Sequence, residues 1–139
     1  MKIIHQVNPE DFARYSTQQI REKFLLENLV VQDKIECVYT HYDRMIVGAA
    51  NPVNTTLQLE TYEQLKSEYF LSRREMGILN IGGKGSITAD NEKFELEKQD
   101  CLYIGKGKQK VVFSSVSKSS PAKFIFFSCP AHQEYTTRL

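Results

Sequence analysis

The stretch Met76-Gly77-Ile78-Leu79-Asn80-Ile81-Gly82-Gly83-Lys84-Gly85-Ser86-Ile87-Thr88-Ala89-Asp90-Asn91-Glu92-Lys93-Phe94-Glu95-Leu96 sets the architecture. Two short apolar runs, Met76–Ile81 and Gly85–Ala89, flank a glycine-rich turn, and Asp90-Asn91 separates the second run from Lys93–Leu96. Asp and Asn both tolerate positive φ, so a tight hairpin is expected at 90–91. The same texture continues on both sides. Runs rich in Val, Ile, Phe, Tyr and Thr occur at Ile35–Thr40, Arg44–Ala49, Thr55–Leu59 and Tyr69–Leu71 before it, and at Cys101–Ile104, Lys110–Val116 and Ala122–Ser128 after it. Many short strands at close spacing predict a mostly β sandwich or barrel. Thr61–Lys66 reads as a short helical turn and Ser117–Pro121 as a polar loop.

Ahead of the strands lies one helical signal. Ser16 and Gln19 form an S-x-x-Q capping box, in which each side chain satisfies a free backbone N–H at the helix start. Ile20, Phe24 and Leu25 share one face, with Leu29 at the next turn, while Arg21, Glu22 and Lys23 take the wet side. An amphipathic helix over Thr17–Leu29, laid on something apolar, is expected.

Composition narrows the function classes. The 139 residues suit one domain, 1–139, with a core of its own. Eighteen basic against seventeen acidic side chains give a net charge of +1, without the basic excess of a nucleic-acid binder. Apolar runs such as Phe124–Phe127 are far shorter than the ~20 residues needed to cross a bilayer. The polar start, Met1-Lys2-Ile3-Ile4-His5-Gln6, has no signal-peptide core, so the cytoplasm is the expected location, with no nucleic acid and no membrane as partner. Cys37, Cys101 and Cys129 have no C-x-x-C spacing and read as small reduced core residues.

Glu75 and Gly82, then Gln99, Gly105-Lys106-Gly107, Lys110 and Ser114, keep the rhythm of the two signatures of a cupin, a double-stranded jelly-roll-like β-barrel. The chain resembles that superfamily with most of the chemistry gone. Glu68-Tyr69-Phe70-Leu71 stands where a His-x-His pair belongs, and Lys110 where the second-signature His belongs. A transition-metal site needs several imidazoles or carboxylates converging at about 2.0–2.2 Å. No metal site is expected from this chain alone.

Longer segments carry a narrower resemblance. Phe24–Glu27, Val38–Gly48, Tyr69–Gly77, Asn80–Gly85, Leu102–Gly107 and Pro121–Phe124 are similar, in order, to the amino-terminal half of the 5-keto-4-deoxyuronate isomerases. What this implies is an aldose–ketose isomerisation in pectin and uronate degradation, turning 5-dehydro-4-deoxy-D-glucuronate into 3-deoxy-D-glycero-2,5-hexodiulosonate. It further implies a homo-oligomer and a zinc ion whose ligands lie in a second cupin absent from this sequence. The chain alone is then inactive. A free-standing metal-free cupin that binds a uronate, or serves in oligomerisation, is the alternative.

Several residues are candidates for contact with a sugar acid. Arg73 or Arg74 could grip a carboxylate through two parallel N–H bonds, or one could be solvated while the other pairs with Glu75. Lys106, Lys108 and Lys110 share one direction if their segment is extended, which suits either an anion or a solvated strand edge. His41 with Asp43 could form a base and its orienting partner, or lie on a polar outer face. Gly82-Gly83-Lys84-Gly85 lacks the spacing of a phosphate loop and reads as a turn. No catalytic residue is assigned.

Overall fold

In the computed structural model, which describes residues 1–139, a short strand β1 (Lys2–Ile4) precedes two helices, α1 (Pro9–Phe12) and α2 (Thr17–Phe24). Nine strands follow: β2 (Ile35–Thr40), β3 (Ile46–Ala50), β4 (Leu57–Gln58), β5 (Arg74–Asn80), β6 (Gly85–Ala89), β7 (Glu92–Leu96), β8 (Cys101–Ile104), β9 (Val111–Ser115) and β10 (Phe124–Pro130). They form a six-stranded sheet, β1-β2-β3-β10-β5-β8, and a four-stranded sheet, β4-β9-β6-β7. Every pairing is antiparallel except β1 on β2. Backbone pairing does not close the two sheets into one barrel, so the jelly-roll expectation is met as a two-sheet sandwich.

Period-two alternation fills the space between the sheets. Met76 and Ile78 of β5, Phe124 and Phe126 of β10, Ile87 of β6 and Phe113 of β9 all point into one buried cluster. The rings of Phe113 and Phe126 lie 6.1 Å apart and nearly parallel, and Phe113 meets Phe124 at 5.4 Å. Burial of each such side chain is worth about 1.5–3 kcal/mol. At Gly48 a Cβ would stand 2.5 Å from Cε2 of Phe126, so a glycine is what lets that ring fit against β3.

The hairpin at 90–91 forms as expected, with Ala89 opposite Glu92 and Asp90 at φ 53. The capping box forms too: Ser16 Oγ accepts from the Gln19 N–H at 3.3 Å and Gln19 Oε1 from the Ser16 N–H at 2.9 Å. Helix α2, however, ends at Phe24, and none of its residues is buried. Ile20 and Phe24 meet only a thin cluster with Phe12 and Tyr42, so nothing rewards further turns, and Leu25, at φ -102 and ψ 128, already turns extended. Tyr69–Leu71 is not a strand. Phe70–Ser72 forms a 3-10 turn that drives Phe70 and Leu71 into the core, where Phe70 meets Phe126 edge-on at 6.4 Å. Its apolar run plugs the end of the sandwich and so has no need of a strand partner. Cys37 is buried, but Cys101 is exposed on β8, which corrects its reading as a core residue. Its neighbours in the chain, Leu102 and Asp100, gave no hint that alternation turns it outward.

Candidate functional site

Alternation along β5 separates two adjacent residues of opposite charge. Arg74 turns inward with Met76 and Ile78, while Glu75 turns outward with Gly77 and Leu79. The spacing that set Glu75 at a cupin carboxylate position therefore puts it on the outside of the sheet, and an arginine takes the inward place.

Arg74 is 7% exposed. Its Nε donates to Ser128 Oγ at 3.1 Å, and its Nη2 donates to the carbonyl oxygens of Ser128 at 2.7 Å and Arg44 at 2.6 Å. The guanidinium lies 6.0 Å from the Tyr39 ring centroid. No carboxylate pairs with it, since the ion pairs of the chain involve Arg21, Lys66, Lys84 and Lys108. Burial draws its proton affinity down, Tyr39 acts in the opposite direction, and nearby Arg44 lowers it further. A guanidinium nonetheless keeps its charge under any physiological condition.

A cleft of about 310 Å³ opens over Arg74. Arg44, Arg73, Gln64, Ser67 and the Tyr39 ring line it together with the buried guanidinium. Arg73 is exposed, and its Nη2 donates to the carbonyl oxygens of Leu65 at 2.8 Å and Lys66 at 2.9 Å. Neither arginine pairs with Glu75, which corrects that expectation. Arg73 donates instead to the Leu65 and Lys66 carbonyls, and Arg74, turned away from Glu75 by the strand alternation, to Ser128 of β10 and the Arg44 carbonyl. Arg44, Tyr39 and Ser128 were not singled out as site residues. The one available signal was Asp43-Arg44 between two strands, and both residues adopt left-handed backbone, at φ 51 and 54.

The other candidates lie apart from this cleft. His41 is exposed; its ring stacks on His5 at 4.7 Å and meets Tyr39 edge-on at 5.3 Å. It makes no hydrogen bond with Asp43, which sits in a turn of left-handed backbone at φ 51. The lysine segment is not extended: Gly107 at φ 101 turns it, so the three side chains do not share one strand face. Lys106 Nζ donates to the His132 carbonyl at 3.4 Å, and Lys108 pairs with Glu92 at 2.9 Å. Lys110 is exposed, with its backbone N–H held by Asp90 Oδ1 at 2.9 Å. Lys84 of the glycine-rich turn pairs with Glu97 at 2.8 Å and Glu95 at 3.3 Å.

On the outer face, Glu75 Oε2 accepts from the Tyr103 hydroxyl at 2.8 Å, and Cys129 Sγ lies 3.5 Å from Oε1. Burial, then the bond to Glu75, pushes Tyr103 up to about 12, and the Cys129 thiol is raised by the same two causes. A second cavity of about 530 Å³ is lined by Glu75, Tyr103 and the carboxy-terminal Glu134, Tyr135, Thr136 and Arg138. These residues do not fit a zinc ion. Glu75 and Glu134 line the cavity and the Cys129 thiol lies beside Glu75, its ionisation disfavoured by burial, but nowhere do three His, Cys, Asp or Glu side chains come together as a metal site requires.

Sheet order and core define the class by fold: the architecture is that of a cupin. The sandwich superposes on the cupin domain of Schizosaccharomyces pombe Cnp3 with a TM-score of 0.55 at 10% identity, covering 76% of this chain and 70% of that one. An RmlC-like cupin protein from Desulfovibrio desulfuricans superposes with a TM-score of 0.51 at 14% identity, covering 77% and 93%. These likenesses concern the fold alone. Residues 24–139 match the family described as KduI/IolB, and the chain belongs to that family. It is 50% identical over 131 residues to a 4-deoxy-L-threo-5-hexosulose-uronate ketol-isomerase of Formosa agariphila, covering 94% of this chain and 47% of that protein. A protein of the same name from Caldicellulosiruptor bescii is 49% identical over 137 residues, covering 99% and 50%. The chain spans about half the length of the curated relatives it matches.

Proposed function

We propose that this chain is the amino-terminal half of an aldose–ketose isomerase that converts 5-dehydro-4-deoxy-D-glucuronate to 3-deoxy-D-glycero-2,5-hexodiulosonate in pectin and uronate degradation. The observation that carries this reading is 50% identity, across 94% of the chain, to a relative named as the ketol-isomerase of that uronate class. The reaction moves a proton between adjacent carbons through an enediol, and so needs a base and a stabiliser for the developing oxyanion. The cleft offers no side chain suited to be that base, since its charged lining is arginine. Its residues can bind and orient an anion. The base, and the ligands of the zinc that the family resemblance implies, fall to the second half.

The same reading takes the protein as cytoplasmic and homo-oligomeric. Two exposed apolar surfaces support association: Phe12, Ile20 and Phe24 beside α2, and Phe127 on the outer face of the six-stranded sheet. Joining this chain to the carboxy-terminal half of the Formosa agariphila relative tests the reading. The joined, zinc-loaded protein is expected to isomerise the uronate, and the 139-residue chain alone to leave it unchanged. Turnover by the isolated chain, or none by the joined protein, would overturn it.

A further inference from the structure

We propose that the cleft between Arg44, Arg73 and Arg74 binds the carboxylate of a small sugar acid, with Arg74 Nη1 and the Arg44 guanidinium as its donors. The argument begins with the buried cation. Taking a guanidinium out of water without a counter-charge is costly, and carbonyl oxygens offset only part of that cost. Arg74 nevertheless has only neutral protein partners: Ser128 Oγ, the Ser128 carbonyl and the Arg44 carbonyl, all taken by Nε and Nη2.

Nη1 makes no bond to the protein. Nor is it sealed away, since the buried side-chain atoms left without a partner are Asn51 Oδ1 and Thr137 Oγ1. It is therefore a charged donor available from the cleft. Arg44 lines the same cleft, and its side chain makes no hydrogen bond either, because its role toward Arg74 is played by its backbone oxygen. Arg73 adds a third positive charge, with its guanidinium anchored on Leu65 and Lys66. No acidic side chain lines the cleft. Three arginines, Arg74 buried and Arg44 and Arg73 exposed, thus line one cleft with no residue of opposite charge among them.

The lining suits a planar carboxylate. No glycine borders the cleft, and its donors are guanidinium groups whose paired N–H bonds match the two oxygens of a carboxylate. Guanidinium groups also take phosphate, so inorganic phosphate is the competitor to test. Tyr39 supplies a ring against which the apolar side of a sugar can rest, and Gln64 and Ser67 supply polar groups for its hydroxyls. The volume, about 310 Å³, is at the small end of ligand pockets and suits a single monosaccharide. The choice of a uronate as ligand rests on the isomerase reading, whereas the carboxylate rests on the cleft itself.

Calorimetric titration of the 139-residue chain with D-galacturonate, D-galactose and inorganic phosphate tests this. Galacturonate is expected to bind saturably and galactose not to bind. Arg44→Gln is the informative variant, because its side chain holds nothing in place; it is expected to weaken galacturonate about tenfold, the loss of one charge-assisted bond. Lys108→Gln, at a lysine already paired with Glu92, is expected to leave affinity unchanged. Equal binding of galacturonate and galactose, tighter binding of phosphate, or no binding at all would overturn the proposal. So would an unchanged affinity in Arg44→Gln, or an equal loss in Lys108→Gln. None of these outcomes touches the isomerase reading, which is decided by turnover of the joined halves.

Discussion

Arg74 Nη2 donates to the backbone oxygen of Arg44 across 2.6 Å, and Arg44 presents that oxygen from a left-handed backbone at φ 54. Asp43 before it is left-handed as well, at φ 51. Such conformations cost ordinary residues roughly 1–2 kcal/mol each. The β2–β3 turn thus holds a disfavoured shape while its carbonyl meets a buried cation. The same cation holds β10 through Ser128, so one side chain ties three segments of the sheet at its cleft end.

Removal of that side chain should therefore cost more than an ordinary surface change. Arg74→Ala is expected to lower unfolding free energy by about 2–4 kcal/mol, because charged hydrogen bonds are lost and the Ser128 and Arg44 carbonyls lose their buried donor. Arg74→Lys should recover only part of this, since a single ammonium cannot span both carbonyls and Ser128 Oγ in the geometry of the fork. Urea unfolding followed by circular dichroism measures both. A loss under about 1 kcal/mol in the alanine variant would mean that the tie contributes little.

Gly48 poses a test of packing. A Cβ there would stand 2.5 Å from Phe126 Cε2 and 2.9 Å from the Glu36 carbonyl oxygen. Phe126 is fully buried, so the ring has little room to move aside. Gly48→Ala is expected to destabilise by about 1–3 kcal/mol through overpacking. Adding Phe126→Leu should restore part of that loss, so the double variant would be less impaired than the two single changes summed. Strict additivity would place the strain at the backbone contact with Glu36 and not at the ring.

How much of this was legible depended on what each residue answers to. Strands such as β5 and β6 read directly, because Met76, Ile78 and Ile87 alternate with outward residues and the Asp90-Asn91 turn accepts positive φ. Local signals also existed for α1, where Asn8 caps and Pro9 takes the first helical position, although the pattern is only four residues long. Strand β1 was opaque: three residues pair in parallel with β2 only because the fold brings them there. The helix at Thr17 ran too long on paper because Leu25 and Leu29 keep the spacing, and spacing does not report whether a face is covered. The site was half legible. Arg73 and Arg74 stood out as charge, but which of them turns inward is a matter of register, and Arg44 is held beside Arg74 through a backbone oxygen that no side-chain reading can reveal.

Tyr103 predicts a pH dependence on the alkaline side. Burial first, and then its bond to Glu75, raises the phenol from its ordinary value of 10 to about 12. The folded state therefore favours the neutral phenol, which alone can donate to Glu75 Oε2. The resulting stabilisation is complete below pH 10, where the phenol is protonated folded or unfolded, and is lost as pH rises from 10 through about 12. Wild type should exceed Tyr103→Phe by a margin that shrinks across that window. Glu75→Gln should lower the Tyr103 titration only part of the way to 10, because burial is the larger cause. Ultraviolet titration of tyrosinate, read as the difference between wild type and Tyr103→Phe, measures this, and a Tyr103 that ionises at 10 in wild type would contradict it.

Phe127 bears on what covers the outer face of the six-stranded sheet. It is 48% exposed and lies between Val47 of β3 and Gly77 of β5. Ile125 and Leu79 on the same face are half-buried, and no atom lies within 4 Å of where a Gly77 Cβ would stand. An exposed phenylalanine beside an open glycine slot forms an apolar surface of the kind that interfaces use. Relatives about twice the length of this chain carry a second half that could occupy it. Phe127→Lys is expected to change the stability of the isolated chain by less than about 0.5 kcal/mol, since the ring supports little of the core. The same change should markedly weaken association with the carboxy-terminal half of the Formosa agariphila relative supplied in trans, as read by sedimentation velocity. Unaltered association would move the contact to the other exposed apolar surface, around Phe12, Ile20 and Phe24, and Phe24→Lys would then be the variant that separates the halves.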